Sequence, residues 1–263
     1  MKNYFNEIEI INLYKTGKTQ QQIADLYNTY NTSIRRILLR NKIIPRSPEE
    51  IGITKRYVKE NCFLNKEDKD YWIGILATDG CCQKNKSVVL AVSKKDIELL
   101  NKFKNFLGGN VNIIKDPKDI VRISFRNPEI YTYLNSIGIS PNKSLTLDIK
   151  IPLNFDIIRG IIDGDGSVHK TVNSVSIYSS SIKFIFKINN FLTSHSFQTK
   201  LTVSTKNRKN PFYGVHIYGI KQLKGLYNFL YYKENITCLE RKRISILNKI
   251  NSIDNSQLGS HTQ

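Results

Sequence analysis

A chain of 263 residues with 40% hydrophobic content can build a sizeable core, as one large domain or as two to three small modules. No apolar run approaches the roughly twenty residues a membrane-spanning helix needs, and no basic-then-apolar leader opens the chain, so it reads as a soluble, intracellular, cytoplasmic protein without a membrane partner. The formal net charge of +18 divides as +5 over residues 1–60, +2 over 61–165 and +11 over 166–263, which points to a polyanion. Charge alone does not choose among DNA, RNA and a membrane surface. Cys62, Cys81, Cys82 and Cys238 lack the paired spacing of a zinc site and read as reduced thiols.

Residues 1–45 read as three short helices. The first, near Glu7–Lys15, sets Ile8, Ile11 and Leu13 at roughly helical spacing, and Thr16-Gly17-Lys18 stops it with Gly17 available for a left-handed position. Thr19 then caps a helix over Gln20–Tyr27 with Ile23, Ala24 and Leu26 inward. The polar turn Asn28-Thr29-Tyr30-Asn31 leads to Thr32 as cap of a third helix, whose Ile34, Ile37 and Leu38 face the core. The positions of Ala24, Asn28, Ile34 and Ile37 resemble the helix-turn-helix of site-specific recombinases and transposases. That resemblance implies that Thr32, Ser33, Arg35, Arg36 and Arg40 line a recognition helix reaching base edges and phosphates. An ordinary three-helix bundle with a basic face is the plainer alternative. Residues 46–64 lose periodicity and read as a basic linker.

The rest of the chain reads as one unit made twice. Trp72-Ile73-Gly74-Ile75-Leu76-Ala77-Thr78-Asp79-Gly80 and Ile158-Arg159-Gly160-Ile161-Ile162-Asp163-Gly164-Asp165-Gly166 are both apolar runs with glycine in third place, closing on Asp-Gly. After the first come strands over Cys81–Asn85 and Ser87–Val92, a helix Lys94–Leu107, strands Val111–Lys115 and Ile120–Arg126, and a helix from Pro128 to about Ile137. After the second come strands Ser167–Lys170 and Ser174–Ser179, a helix Ile182–Leu192, strands Thr199–Ser204 and Tyr213–Tyr218, a helix from Lys221 to about Tyr231, and a last helix Glu240–Ile250. The aspartates Asp79 and Asp165 match at a shift of 86, while Phe103, Phe106 and Leu107 match Ile188, Phe191 and Leu192 at 85. This is an α+β fold of two pseudo-symmetric αββαββα repeats, residues 65–153 and 154–263, behind a small all-α domain.

The motif helices carry their own physical logic. Gly74 and Gly160 let two such helices approach backbone to backbone, with Ile75, Leu76, Ile161 and Ile162 around the seam. Their C-terminal ends then lie together, and Asp79 and Asp165 project side by side from two negative helix ends. Such a pair calls for a divalent cation, and an all-oxygen site with open positions suits Mg²⁺, or another such ion as Mn²⁺. Asp163 reads as structural, satisfying backbone donors near the helix end. The histidines, His169, His195, His216 and His261, have no metal-ligand spacing.

The duplicated motif together with its strands and helices resembles the LAGLIDADG homing endonucleases in their single-chain form, over about Asn65–Ile250. The second motif fits closely, whereas the first departs at Ala77 and Thr78, where the family usually has Asp then Ala. Gly138-Ile139-Ser140-Pro141-Asn142-Lys143-Ser144-Leu145 and Cys238-Leu239-Glu240-Arg241-Lys242 also look like the family, at the same position in each repeat. The resemblance implies a monomer that lays two saddle-shaped antiparallel sheets over the major groove of double-stranded DNA. It further implies metal-dependent cutting of both strands at a long site, leaving short 3′ overhangs. Asp79 and Asp165 would be the catalytic metal ligands, and Lys143 and Lys242 the basic residues beside the water pocket, with Arg241 competing for the latter role.

On the strands, Gln83, Lys84, Lys86, Arg122, Ser124, Arg126, His169, Lys170, Lys200, Thr202, Ser204 and His216 are candidate DNA contacts, of which period-two alternation lets only some face the duplex. Lys206, Arg208 and Lys209, in the 205–211 loop, read as a phosphate-contacting flap. Two rivals use the same scaffold: a non-catalytic transcription regulator, and a maturase acting on intron RNA. An initial Met and the lack of terminal splicing residues read as a free-standing enzyme, not an intein.

Overall fold

The computed structural model describes residues 6–47, 50, 58, 63, 67–108, 111–205 and 209–258, the side chains of the final helix as far as 252. It divides into two compact units, residues 1–57 and 58–263.

The smaller unit is built from α1 (Glu7–Lys15), α2 (Gln20–Leu26) and α3 (Asn31–Arg40). Thr19 closes a capping box with Gln22 at the start of α2, satisfying two backbone donors that have no partner inside the helix. Gly17 at φ 103° and Asn28 at φ 47° make the turns on either side of that helix, both in the left-handed region. Ile10, Tyr14, Ile23, Ala24, Ile34, Ile37 and Leu38 form the core. Three expectations are corrected. Ile8 and Leu26 point to solvent, 73% and 62% exposed, because α1 buries Ile10 and Tyr14 and the short α2 buries Ile23 and Ala24. Thr32 is not the cap of α3, which begins one residue earlier behind Tyr30 with no side-chain cap. Arg46 donates to the carbonyls of Tyr14 and Gly17, with its guanidinium 4.1 Å over the Tyr14 ring.

The larger unit centres on α4 (Lys69–Thr78) and α7 (Phe155–Asp165). A surface helix is apolar on one stripe. In α4 every residue from Tyr71 to Ala77 is buried, the pattern of a helix enclosed by protein on all sides. A Cβ on Gly74 would stand 2.2 Å from the Ile157 carbonyl oxygen and 2.9 Å from the Gly160 Cα, and one on Gly160 would stand 2.1 Å from the Tyr71 carbonyl oxygen. The two helices therefore touch backbone to backbone, and only glycine fits at either place.

Each motif helix leads into a four-stranded antiparallel sheet. The first holds β1 (Gly80–Cys82), β2 (Ser87–Ser93), β3 (Ile113–Asp116) and β4 (Ile120–Arg126) in the order β1-β2-β4-β3. The second holds β5 (Ser167–Val168), β6 (Ser174–Ser179), β7 (Thr199–Ser204) and β8 (Phe212–Tyr218) in the matching order β5-β6-β8-β7. Helices α5 (Ile97–Leu107) and α6 (Pro128–Ser136) accompany the first, α8 (Ile182–Ser194) and α9 (Ile220–Leu230) the second, and α10 (Glu240–Leu258) packs on α9. Buried residues of both sheets and of α4 to α10 join one core, which also takes Val58 and Phe63.

Differences from expectation lie at element ends. Strands β1 and β5 stop at Cys82 and Val168, so Gln83, Lys84 and Lys86 occupy a hairpin turn, with Lys86 at φ 62°, and Lys170 lies in a bend. The helix expected over Lys94–Leu107 opens as a short 3-10 turn, Lys94–Asp96.

Candidate active site

The site is built where α4 and α7 end. Asp79 is the C-cap of α4, and Asp165 is the last residue of α7. The two ends adjoin, because a Cβ on Gly164 would stand 1.9 Å from Thr78 Oγ1 and 3.3 Å from Asp79 Oδ2.

A lysine closes each end. Lys143 Nζ donates to the carbonyls of Thr78 (3.2 Å) and Gly80 (2.6 Å), bracketing Asp79. Lys242 Nζ donates to the carbonyls of Ile162 (2.8 Å) and Gly164 (2.7 Å), just before Asp165. A helix C-terminus leaves carbonyls without intrahelical partners and carries partial negative charge, so an ammonium satisfies both needs at Thr78 and Gly164, while Ile162 also accepts from the Gly166 N–H and Gly80 already belongs to β1. Arg241 does not compete for this place. Its guanidinium forms a bidentate pair with Asp96, at 2.6 and 2.9 Å.

Four charges are thereby coupled. Burial, and then the charge of Asp165, push the Asp79 carboxyl up to about 6, against the opposing pull of Lys242 and Lys143. Asp165 is more exposed, yet protein atoms around it displace enough water to hold it above the usual carboxylate range. Burial depresses both lysines, Lys242 to about 8. Neither carboxylate takes a hydrogen bond from a described residue, so both oxygen pairs are open to a ligand. Among the described residues no group of three or more His, Cys, Asp or Glu forms a metal cage. The donor set is thus two hard carboxylates, which fits an oxygen-loving divalent cation that completes its shell with phosphate and water.

Two cavities flank the pair. One of about 300 Å³ opens beside Thr78, Lys143, Asp165 and Tyr178, and one of about 410 Å³ beside Asp79, Asp96, Gly164 and Arg241. Asp163 is structural in role: its Oδ2 accepts from Tyr71 Oη at 2.9 Å and from the Leu239 backbone N–H at 2.7 Å, tying α7 to α4 and to the segment before α10. Those donors come from distant parts of the chain, not from its own helix end.

Residues 153–230 match the family model described as a LAGLIDADG-like domain. That match covers most of the second repeat. The I-SmaMI LAGLIDADG homing endonuclease bound to cleaved DNA superposes with a TM-score of 0.51 at 14% identity, over 73% of this chain and 90% of that one. I-SmaMI bound to uncleavable DNA with a TTGT central four gives 0.50 at 12% identity, over 73% and 90%. The two-repeat architecture of residues 58–263 is therefore the LAGLIDADG fold. A protein of Methanocaldococcus jannaschii described as a probable translation initiation factor IF-2 is 27% identical over 261 residues, 91% of this chain and 21% of that protein, so the chain spans about a fifth of the relative's length.

Most of the remaining candidates group by face. Arg122, Ser124 and Arg126 alternate with the buried Val121, Ile123 and Phe125 and so share the outward face of the first sheet. Lys200, Thr202 and Ser204 pair across from His216, Gly214 and Phe212 on the outward face of the second. His169, Ser176, His216 and Thr202 form a hydrogen-bonded chain there, with contacts of 3.0, 2.7 and 2.7 Å. In the smaller unit Thr32, Arg35 and Arg36 are exposed and Ser33 partly so, while Arg40 is tied to Glu7 by an ion pair. Lys206 and Arg208 lie outside the described residues, and Lys209 is exposed. Sequence reasoning missed Tyr71, Asp96 and the Leu239 N–H as supports of the site. Each acts on a group at least 76 residues away, and no local pattern announces such a contact.

Proposed function

We propose that this chain is a site-specific DNA endonuclease that makes metal-dependent double-strand breaks at a long recognition site, acting as a monomer inside the cell. The reading is carried by one observation: Asp79 and Asp165, brought together by the glycine seam, each stand beside a lysine anchored on backbone carbonyls next to the acid. The fold it shares with I-SmaMI, whose structures are described as bound to DNA, supports the choice of duplex. So does the net charge of +18.

In this mechanism Asp79 and Asp165 would hold a divalent cation through their open oxygens. A bound Mg²⁺ or Mn²⁺ supplies Lewis-acid stabilisation of phosphate charge and acidifies water in its shell. Lys143 and Lys242 serve the two strands. Each Nζ has two N–H groups committed to carbonyls, which leaves one tetrahedral position for either a third proton or a lone pair. At Lys242, depressed to about 8, the lone pair is appreciably populated near neutral pH and can take a proton from attacking water. The outward sheet faces position the duplex. The three-helix unit adds contacts through Thr32, Ser33, Arg35 and Arg36, with Arg40 reaching phosphate only by giving up Glu7.

The test is incubation of the protein with Mg²⁺ and a randomised duplex library, beside the Asp79→Asn and Asp165→Asn variants. Metal-dependent double-strand breaks that either substitution reduces at least about a thousandfold are expected, since each carboxylate serves the shared cation. Binding without cutting would replace this reading with a transcription regulator, and preference for folded intron RNA would replace it with a maturase.

A further inference from the structure

The two sheets present different chemistry at equivalent places. β4 and β8 hold the same place in the strand order, and their registers agree: Arg126 lies opposite Ser87, the first residue of β2, and Tyr218 opposite Ser174, the first residue of β6. Stepping back by twos along the outward face gives Arg126, Ser124, Arg122 and Ile120 on β4, against Tyr218, His216, Gly214 and Phe212 on β8. Two guanidinium groups on one sheet are thus replaced by a phenol and a glycine on the other.

The side chains confirm the contrast. Arg126 makes no ion pair among the described residues, and its buried Nε has no hydrogen-bond partner. Arg122 stands 3.1 Å from Asp116. On the second sheet the rings pack on one another: Tyr178 stacks on Phe212 with centroids 5.5 Å apart, His216 on Tyr218 at 5.7 Å, and Tyr178 meets His216 edge-on at 5.4 Å. Both His216 nitrogens are already used, by Ser176 and Thr202, and burial holds its imidazole below the usual range. That surface therefore offers a duplex the rings of Tyr178, Phe212 and Tyr218 in place of guanidinium groups, with Lys200, Thr202 and Ser204 beside them and the +11 of residues 166–263 to hold the backbone.

A guanidinium recognises the O6 and N7 of guanine, whereas an apolar surface in the major groove distinguishes bases chiefly through the thymine methyl group. We propose that the two halves of the target differ accordingly: the half under the first sheet is read at a guanine by Arg126, and the half under the second is rich in A·T pairs whose thymine methyl groups pack on Tyr178, Phe212 and Tyr218. This rests on the DNA-cutting reading above.

The test uses the full chain in EDTA, so that it binds without cutting, to select duplexes from a randomised library. The best duplex is then remade with 7-deazaguanine or deoxyuridine in one half at a time. The expected result is a fixed guanine in one half, where 7-deazaguanine weakens binding about tenfold and Arg126→Ala removes the preference. In the other half each deoxyuridine costs up to about fourfold, the worth of one buried methyl group, and Phe212→Ala flattens that half alone. The modified DNA makes the outcome independent of how any variant folds. Identical preferences in both halves, indifference to deoxyuridine, equal weakening of all sequences by Arg126→Ala, or a preference for single strands would each overturn the proposal. Cutting with symmetric preferences would overturn it alone, whereas failure to bind any DNA would take the endonuclease reading with it.

Discussion

At the foot of α4, Lys143 shares its cavity with Ala77 and feels Cys81 and Cys82; at the foot of α7, Lys242 has Asp163 and Arg241 for neighbours. Each corner sets an ammonium across two backbone carbonyls beside an aspartate. The carbonyl just before the acid, Thr78 or Gly164, is common to both, while the second is Gly80, past the acid, at one corner and Ile162, three residues before it, at the other. The surroundings differ further. Asp163 favours the charged form of Lys242, yet burial outweighs it and Arg241 adds to the depression, so the amine sits near 8. The two corners share one carbonyl contact and differ in the other and in their flanking charges. The scaffold is then what both corners need, and the flanking charges are what tune each one.

The most damaging way to test that division is to strike the scaffold itself. Gly74→Ala drives a methyl group into the Ile157 carbonyl and should cost about 3 kcal/mol in a denaturant melt, with loss of cutting on both strands. Removing one lysine separates the corners. Lys143→Met or Lys242→Met should slow a single strand about a hundredfold, visible as accumulation of nicked plasmid. With Lys143→Met, the strand still cut should speed up with pH until about 8 and then level off, because only the neutral amine of Lys242 accepts a proton. Simultaneous loss of both strands in either variant would show that the corners do not act separately.

Next in size is the support unique to the second corner. Asp163→Ala leaves Tyr71 Oη and the Leu239 N–H unpartnered in the core, for about 2 kcal/mol, whereas Asp163→Asn should keep most of the stability by still accepting both bonds. The mildest probe is protons. Asp79 holds a cation only when ionised, and its pKa lies near 6, so Mn²⁺ affinity measured by calorimetry should be level above that pH and fall about tenfold per unit below it. Asp165→Asn removes one of the causes that raise Asp79 and should move that break to lower pH.

The sequence carried the repeat, the succession of strands and helices along each half and the meeting of Asp79 with Asp165, because an apolar run with a glycine and a terminal Asp-Gly step recurs at constant spacing. Lys143 and Lys242 were legible through family likeness, since a lysine that caps carbonyls 63 to 80 residues away leaves no local pattern. What failed was local in another sense. In α1 and α2, nine and seven residues long, a single turn decides which face is buried, and Ile8 and Leu26 fell on the wrong side. Gln83 and Lys170 lie just past the point where two- and three-residue strands end, which propensity alone does not locate. The partnership of Arg241 with Asp96, 145 residues apart, exists only once the repeats have folded.

The contact of Gly74 with Gly160 has a consequence for how this site can age. Side chains swap rotamers and are exchanged by mutation, but peptide planes in two helices pressed together have almost nowhere to go. The spacing of the two acid arms is thus gauged by main chain, and heat or drift that loosens the sheets should reach that gauge last.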